Sequence, residues 1–221
     1  MFNVTRLDKE PESLSKNKHY NNEEVVSALK RMFVGKCYLC ERGEIQDAEV
    51  EHFDPQASGG GRLDWKNLYY SCSRCNSLKS STHTDLLDCT DPSIDVFRKI
   101  RLVMTPSPND DILVTPTDKT PCMKTKNTIV LLNLCYNSTG TALRGVSREA
   151  LIEQIYGYML AFMQARMLLR TPSTGKRIKL DAKETIEAMI DVKHPFSAFW
   201  RWQYLHDSFL TEHCPELKSG F

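Results

Sequence analysis

Two stretches, CYLC at residues 37–40 and SCSRCNSLK at residues 71–79, decide how the middle of this chain folds. Each contains a C-x-x-C pair, and two such pairs can place four thiolates around one tetrahedral zinc ion. Buried free cysteines are the alternative, but two matching pairs favour metal. The sequence therefore predicts a structural zinc site with all four positions filled, so that the ion is a scaffold and not the catalyst. The four predicted ligands are Cys37, Cys40, Cys72 and Cys75.

The loop between the two pairs contains residue types suited to phosphodiester hydrolysis. EVEHFDP at residues 49–55 is followed by three glycines at 59–61 and by DWKNL at 64–68. Hydrolysis needs an activated water and stabilisation of the charge at the phosphate, and a neutral imidazole can accept the proton from water. Taken singly, His52 could be an ordinary buried histidine, and Asn67 and Asn76 could be turn residues. Their order inside a zinc loop favours a site.

This order of residues resembles the HNH (ββα-metal) endonucleases. The resemblance implies an α+β fold in which a ββα-metal core with a four-cysteine zinc knuckle is embedded in a mainly helical chain. It implies that His52 is the general base, that Asn67 positions the histidine ring, and that Glu51 and Asn76 hold Mg²⁺ or Mn²⁺. The chain departs from the common pattern in having Glu instead of Asp at 51 and Asn instead of His at 76, and Ser80 rules out a three-histidine site.

Two cations next to the second cysteine pair are candidate nucleic-acid contacts. Arg74 and Lys79 could bind backbone phosphates, and the alternative is that they are solvated surface charges.

A wider resemblance covers most of residues 1–150 and is strongest at residues 33–79. FVGKCYLCE at 33–41, LLD at 86–88 and TIVLLNL at 128–134 are similar to the PtuB-like nucleases of Septu and retron-associated anti-phage systems. That resemblance implies a bacterial, cytoplasmic effector that cuts phage or plasmid DNA, is gated by a PtuA-like SMC/ABC-type ATPase, and can form an oligomeric complex. We expect the ATPase to bind within residues 1–30 or 145–215.

The composition limits the possible classes of protein. The 221 residues carry 29 basic and 28 acidic side chains, a net charge of +1, so a generic DNA-coating protein is excluded and recruitment by a partner is favoured. No apolar run is long enough to span a bilayer, and residues 1–18 lack an apolar signal-peptide core. We therefore expect a soluble intracellular protein with no membrane partner.

The pattern of apolar residues divides the chain into three segments. Residues 1–35 are predicted to be an extended polar lead-in to residue 18 and a helix capped by Asn21 with Glu24. Residues 36–85 are a dense stretch that holds both cysteine pairs, and the resemblance implies that they are the HNH nuclease core. Residues 86–221 are predicted to be a mainly helical region for support or partner binding. In this region we expect paired strands at 102–104 and 112–114, and helices that begin after Ser147, at Asp181 and at Pro195.

Two other functions remain open from the residues alone. One is a non-catalytic zinc-ribbon module that binds DNA or protein, in which His52 and the two asparagines would be incidental. The other is a restriction-type HNH nuclease, for which no reader domain is apparent. RNA as the substrate also stays open.

Overall fold

A computed structural model describes residues 1–17, 19–140 and 145–220. The described residues form an α+β fold, as predicted, with two small antiparallel sheets among helices. The helices are α1 (Glu12–Asn17), α2 (Glu23–Met32), α3 (Ser73–Lys79), α4 (Val96–Lys99), α5 (Met123–Asn137), α6 (Arg148–Arg170), α7 (Lys176–Ile190), α8 (Ser197–Leu205) and α9 (Ser208–His213). The strands are β1 (Ala48–His52), β2 (Leu68–Cys72), β3 (Ile100–Val103) and β4 (Leu113–Pro116).

The middle of the chain forms a ββα unit from β1, β2 and α3. β1 pairs antiparallel with β2, so that Ala48 lies opposite Cys72 and His52 lies opposite Leu68. Every residue of β2 is buried, which suits its run of large apolar and aromatic side chains. α3 begins directly after β2, at Ser73, and packs back onto both strands. The unit therefore brings the carboxyl end of β1 and one face of α3 together.

The N-terminal segment differs from the predicted extended polar lead-in. Residues 12–17 form α1, while Lys18 lies outside the described residues. Met1, Phe2 and Val4 are buried, and the Val4 N–H donates to the carbonyl of Cys89. The prediction of an extended segment was wrong for residues 12–17, and the segment is less exposed than its polarity suggested because burying its few apolar side chains is favourable.

The cap of α2 is shifted by one residue from the prediction. The side chain of Asn22, not Asn21, accepts the hydrogen bond from the N–H of Val25. Glu24 does not complete a capping box; its carboxylate accepts the backbone N–H groups of Glu12 and Ser13. These are orphan donors in the first turn of α1, so Glu24 joins the two helices.

The C-terminal region contains the predicted hairpin and long helices. β3 pairs antiparallel with β4, with Leu102 opposite Val114, which confirms the paired strands. Ser147 caps α6 as predicted. The predicted start of α7 at Asp181 was wrong. The chain becomes helical again soon after Pro172, so that α7 begins at Lys176 and Asp181 lies inside the helix. The last predicted helix is two helices, with Asp207 capping the second.

One continuous cluster of buried apolar residues includes side chains from the N-terminal segment, the ββα unit and the C-terminal helices. The nuclease-like segment therefore shares its core with the helices around it. Within the part of the chain that the structure describes, each helix is too short or too polar to cross a bilayer.

Candidate active site and metal centre

The two C-x-x-C pairs meet at one point of the fold. The Sγ atoms of Cys37, Cys40, Cys72 and Cys75 lie within 4.8 Å of one another, and all four residues are buried. Backbone hydrogen bonds form the first turn, since the Glu41 N–H donates to the carbonyl of Cys37. The second pair is held at the junction of β2 and α3. We call this group of four thiols the cysteine cluster.

The spacing of the sulfur atoms fits a tetrahedral metal ion. Zn–S bonds of about 2.3 Å separate the ligand sulfurs by about 3.8 Å, and the Sγ atoms of Cys40 and Cys72 are 3.9 Å apart. Burial raises the pKa of the Cys37 thiol, but hydrogen bonds from the three other cysteines outweigh it and lower that pKa well below its ordinary value. The pKa values of Cys40 and Cys75 are raised well above theirs. Four thiolates can therefore coexist here only around a cation.

His52 is the last residue of β1, and its ring is only partly buried. Its Nε2 lies 3.0 Å from the backbone carbonyl of Arg62 and 3.5 Å from the side-chain amide of Gln56. A carbonyl can only accept, so this contact favours the tautomer with the proton on Nε2. In that tautomer Nδ1 carries the lone pair that can accept a proton.

Asn67 organises the loop that follows His52. Its Oδ1 accepts the Asp54 N–H at 2.7 Å, and its Nδ2 donates to the carbonyls of Asp54 and Gly61 at 2.9 and 3.2 Å. The backbone of Asn67 also accepts the N–H of Phe53 at 2.9 Å. The hydrogen bonds of Asn67 are therefore to the backbone beside the histidine, whereas the family resemblance implied that Asn67 positions the ring.

Glu51 carries its carboxylate into the interior beside α3. The Lys79 ammonium donates to Glu51 Oε1 at 2.8 Å and to the carbonyl of His52 at 2.9 Å. The other oxygen, Oε2, is buried and has no hydrogen-bond partner among the described residues. Burial raises the pKa of Glu51 to about 7, against the opposing effect of Lys79. An orphaned, poorly solvated carboxylate oxygen fits a ligand for a divalent cation.

Among the described residues, no hydrogen bond joins Asn76 to Glu51. The Nδ2 of Asn76 donates to the carboxylate of Glu49, which lies two residues before Glu51 on the same face of β1. This bond leaves the Asn76 amide oxygen as the atom available to a cation. Glu49 was not predicted as a site residue, although its i, i+2 spacing from Glu51 was a signal in the sequence.

The two predicted phosphate contacts are both fully buried. Arg74 donates to the carbonyls of Cys135 and Ser138 at 2.9 and 2.6 Å, where α5 ends. A cation at these orphan carbonyls caps the helix and complements its dipole. Lys79 is engaged by Glu51, as described above. In this arrangement neither side chain faces solvent.

Two further residues contact the histidine from outside the quoted motifs. The Tyr20 ring lies edge-on to the His52 ring, with centroids 4.7 Å apart and an interplanar angle of 72°. The Arg62 guanidinium lies over the same tyrosine, 5.5 Å from its centroid. No spacing in the sequence predicts this contact, because Tyr20 precedes α2 and reaches the site only through the packing of α2 on β2.

Comparison with known proteins agrees with this geometry. A family model described as HNH endonuclease matches residues 37–82, which span the cysteine cluster, β1, β2 and α3. This segment is therefore an HNH domain with a ββα-metal core. The chain is also similar to the Septu protein PtuB of Bacillus mycoides (strain KBAB4), at 34 % identity over 73 residues. This confirms the predicted resemblance to the PtuB-like group.

The similarity is local. It covers 26 % of this chain and 25 % of the Bacillus protein, so the chain matches about a quarter of that relative's length. No solved structure matches the chain at a significant level.

Proposed function

We propose that this chain is a metal-dependent HNH endonuclease that hydrolyses DNA as the effector of a Septu-like anti-phage system. The observation that carries the proposal is the ring of His52, held at Nε2 by the Arg62 carbonyl at 3.0 Å inside an HNH domain. This contact favours Nδ1 as the general base that takes the proton from the attacking water.

The residues around His52 have supporting roles in this proposal. Asn67 fixes the backbone of the loop that carries Asp54 and Gly61, which limits movement of the chain beside the histidine. Glu51 and Asn76 would hold the catalytic divalent ion through a carboxylate and an amide oxygen, and Glu49 would orient Asn76. Mg²⁺ or Mn²⁺ suits such oxygen ligands and, when bound, would neutralise the scissile phosphate and the departing oxygen.

The cysteine cluster would hold zinc as a structural ion. Four buried thiolates fill all four positions of a tetrahedral site and leave none for substrate. The ion would link the turn at residues 37–40 to the start of α3, and so keep Asn76 and Lys79 against β1.

The partner in this proposal is a PtuA-like ATPase. It rests on the similarity to a Septu protein and on the net charge of +1, which gives little sequence-independent attraction to DNA. We infer that the chain acts in the bacterial cytoplasm, where such an ATPase would recruit it to DNA and release its activity. A restriction-type nuclease and a non-catalytic zinc ribbon are the competing functions.

The decisive experiment incubates supercoiled plasmid with the zinc-loaded protein and Mg²⁺ or Mn²⁺, alone and with a purified PtuA-like ATPase. We expect nicking or linearisation that requires the added ion and falls at least about 100-fold in His52→Ala. His213→Ala removes an exposed histidine from α9 and should cleave like the unchanged protein.

Each other result has a clear meaning. Equal activity in His52→Ala would indicate a contaminant or a different base. Absence of cleavage under all conditions, with DNA or partner binding intact, would favour the zinc-ribbon module. Parallel assays with single-stranded and structured RNA would show whether DNA is the preferred substrate.

A further inference from the structure

The predicted general base is supported by a residue outside the HNH domain. Tyr20 lies between α1 and α2, before the first residue of the family match. Its half-buried ring packs edge-on against His52 at a centroid distance of 4.7 Å. An aromatic contact of this geometry restricts the rotation of a partly exposed imidazole.

Arg62 is connected to both rings. Its backbone carbonyl accepts the Nε2 proton of His52 at 3.0 Å, and its guanidinium lies 5.5 Å from the centroid of Tyr20, within the range of a cation–π contact. The three residues therefore contact one another. Tyr20 contacts both the imidazole and the guanidinium, and the backbone carbonyl of Arg62 contacts the imidazole.

The Arg62 side chain is available for an anion. It is exposed, and it takes part in none of the ion pairs of the described residues. Because Arg62 and His52 lie 5.5 and 4.7 Å from the same ring centroid, the guanidinium carbon is within about 10 Å of the imidazole. At this distance the guanidinium can reach a backbone phosphate close to a scissile bond held at His52. Arg74 and Lys79, in contrast, are buried.

We propose that Tyr20 and Arg62 extend the nuclease site: Tyr20 is a positioning residue for the His52 imidazole, and the Arg62 guanidinium, seated on the Tyr20 ring, binds a backbone phosphate beside the scissile bond. This inference rests on the proposed function, since it assigns the substrate contact of the same site. The planar fork of guanidinium donors suits a phosphate oxygen pair, and stacking on an aromatic ring orients the fork in advance.

The phosphate contact can be tested without cleavage. Binding of a fluorescein-labelled 20-base-pair duplex is measured by anisotropy, in a His52→Ala background with Mg²⁺, between about 25 and 200 mM KCl. Arg62→Gln should weaken binding about 5- to 20-fold at the lowest salt and reduce the slope of log affinity against log salt by about one. Arg62→Lys should recover part of the affinity. Arg170→Gln removes an exposed cation from the end of α6 and should change the slope less.

The positioning role is tested by steady-state cleavage of the same duplex. Tyr20→Leu should lower kcat at least about tenfold with little change in KM, and should displace the acid limb of the pH–rate profile. Tyr20→Phe keeps the ring and should retain kcat within about twofold. A purely structural role of Tyr20 would reduce the active fraction and leave the pH profile unmoved.

The outcomes separate this inference from the proposed function. If Arg62→Gln and Arg170→Gln have equal salt slopes, or if the background protein binds no DNA even at low salt, the phosphate contact is overturned. If Tyr20→Leu cleaves with unchanged kcat and pH profile, the positioning role is overturned. If the unchanged protein never cleaves while Arg62→Gln still lowers the slope, the nuclease proposal fails and the phosphate contact stands.

Discussion

Lys79 and Glu51 form a buried ion pair between the last turn of α3 and the penultimate residue of β1, with Nζ 2.8 Å from Oε1. Glu49 and Asn76 form a second link one step earlier on the same two elements. Two residues along a strand cover about 7 Å, and three along a helix cover about 4.5 Å. The two pairs therefore align α3 along β1. They bring the carboxylates of Glu49 and Glu51, the amide oxygen of Asn76 and the ammonium of Lys79 to the predicted metal site.

Removing the cation should make the fold depend on added metal. In Lys79→Met the Glu51 carboxylate stays buried without a partner, which we expect to cost about 3–5 kcal/mol of the free energy of unfolding. A divalent ion at Glu51 would replace the lost charge. Urea unfolding without added divalent ions, and with 5 mM Mn²⁺, should therefore show a larger metal-induced gain in the variant than in the unchanged protein. Equal gains would argue against an ion at Glu51.

Binding of the divalent ion should strengthen as the pH rises. A proton on Glu51 competes with the ion, and burial raises the pKa of this carboxyl to about 7. Glu51 is then mostly neutral at pH 6 and mostly ionised at pH 8, which predicts an approximately tenfold gain in apparent Mn²⁺ affinity between these values. Titration of free Mn²⁺ by electron paramagnetic resonance measures it. In Glu51→Gln, binding should be weaker and nearly independent of pH; a steep dependence that survives this substitution would assign the proton elsewhere.

The loop after His52 should be sensitive to one added methyl group. A Cβ at Gly60 would collide with the carbonyl oxygen of Asp54 and lie 2.9 Å from Nδ2 of Asn67. Gly60→Ala must therefore break the hydrogen bonds between the Asn67 side-chain amide and the backbone of Asp54. We expect a loss of about 1–3 kcal/mol in stability, the cost of leaving a buried hydrogen-bonding group unpaired, and slower cleavage.

Gly157→Ala is the matched control for this substitution. Gly157 lies in the middle of α6, and an added Cβ there meets no atom within 4 Å. Alanine should stabilise the helix by up to about 1 kcal/mol. Thermal unfolding of both variants, compared with plasmid cleavage, checks the pair. A Gly60→Ala protein as stable and active as the control would show that the hydrogen bonds of the Asn67 side chain are not required.

The cysteine cluster should hold one zinc ion per chain and stabilise the fold through it. Cys40→Ser removes one of four buried ligands, so we expect loss of zinc by elemental analysis and a large drop in unfolding temperature. Cys122→Ser changes an exposed cysteine outside the cluster, and this variant should keep both its zinc and its unfolding temperature. Full retention of zinc in Cys40→Ser would mean that the ion is bound elsewhere.

The sequence predicted the centre of the molecule better than its surroundings, for physical reasons. Paired cysteines and the order of Glu51, His52, Asn67 and Asn76 reflect chemistry that needs certain residue types at certain spacings, so they are readable without coordinates. The contact of Asn76 with Glu49 follows from the period of two along a strand and could have been deduced. The contact of Tyr20 with His52 could not, because it depends on how α2 packs.

The burial of cations shows the same limit. The sequence made Arg74 a candidate phosphate contact, with a solvated surface charge as the alternative. Its guanidinium instead satisfies the carbonyls of Cys135 and Ser138 at the end of α5, a helix about 60 residues further along the chain. Charge type is visible in a sequence, whereas the partner of a charge is set by tertiary packing.

A buried ionic cluster joins the first cysteine turn to α8 and should be essential to the fold. Lys36 Nζ lies 3.1 Å from Glu41 and donates to Ser197 Oγ at 3.0 Å, and the Ala198 N–H donates to the same carboxylate at 3.2 Å. The amino group of Met1 is a second cation, 3.0 Å from the other Glu41 oxygen. Burial raises the pKa of Glu41, but Lys36 and this amino group outweigh it and lower that pKa well below its ordinary value.

Lys36→Met should therefore destabilise the protein by up to about 3–5 kcal/mol in urea unfolding, because it removes a cation from a buried carboxylate. The double variant Lys36→Met with Glu41→Gln removes both charges and should cost clearly less than the sum of the two single substitutions, since the pair is coupled. Lys16→Met breaks the exposed i, i+4 pair with Glu12 and should cost well under about 1 kcal/mol. Additive effects of the buried substitutions would show that Lys36 and Glu41 do not stabilise each other.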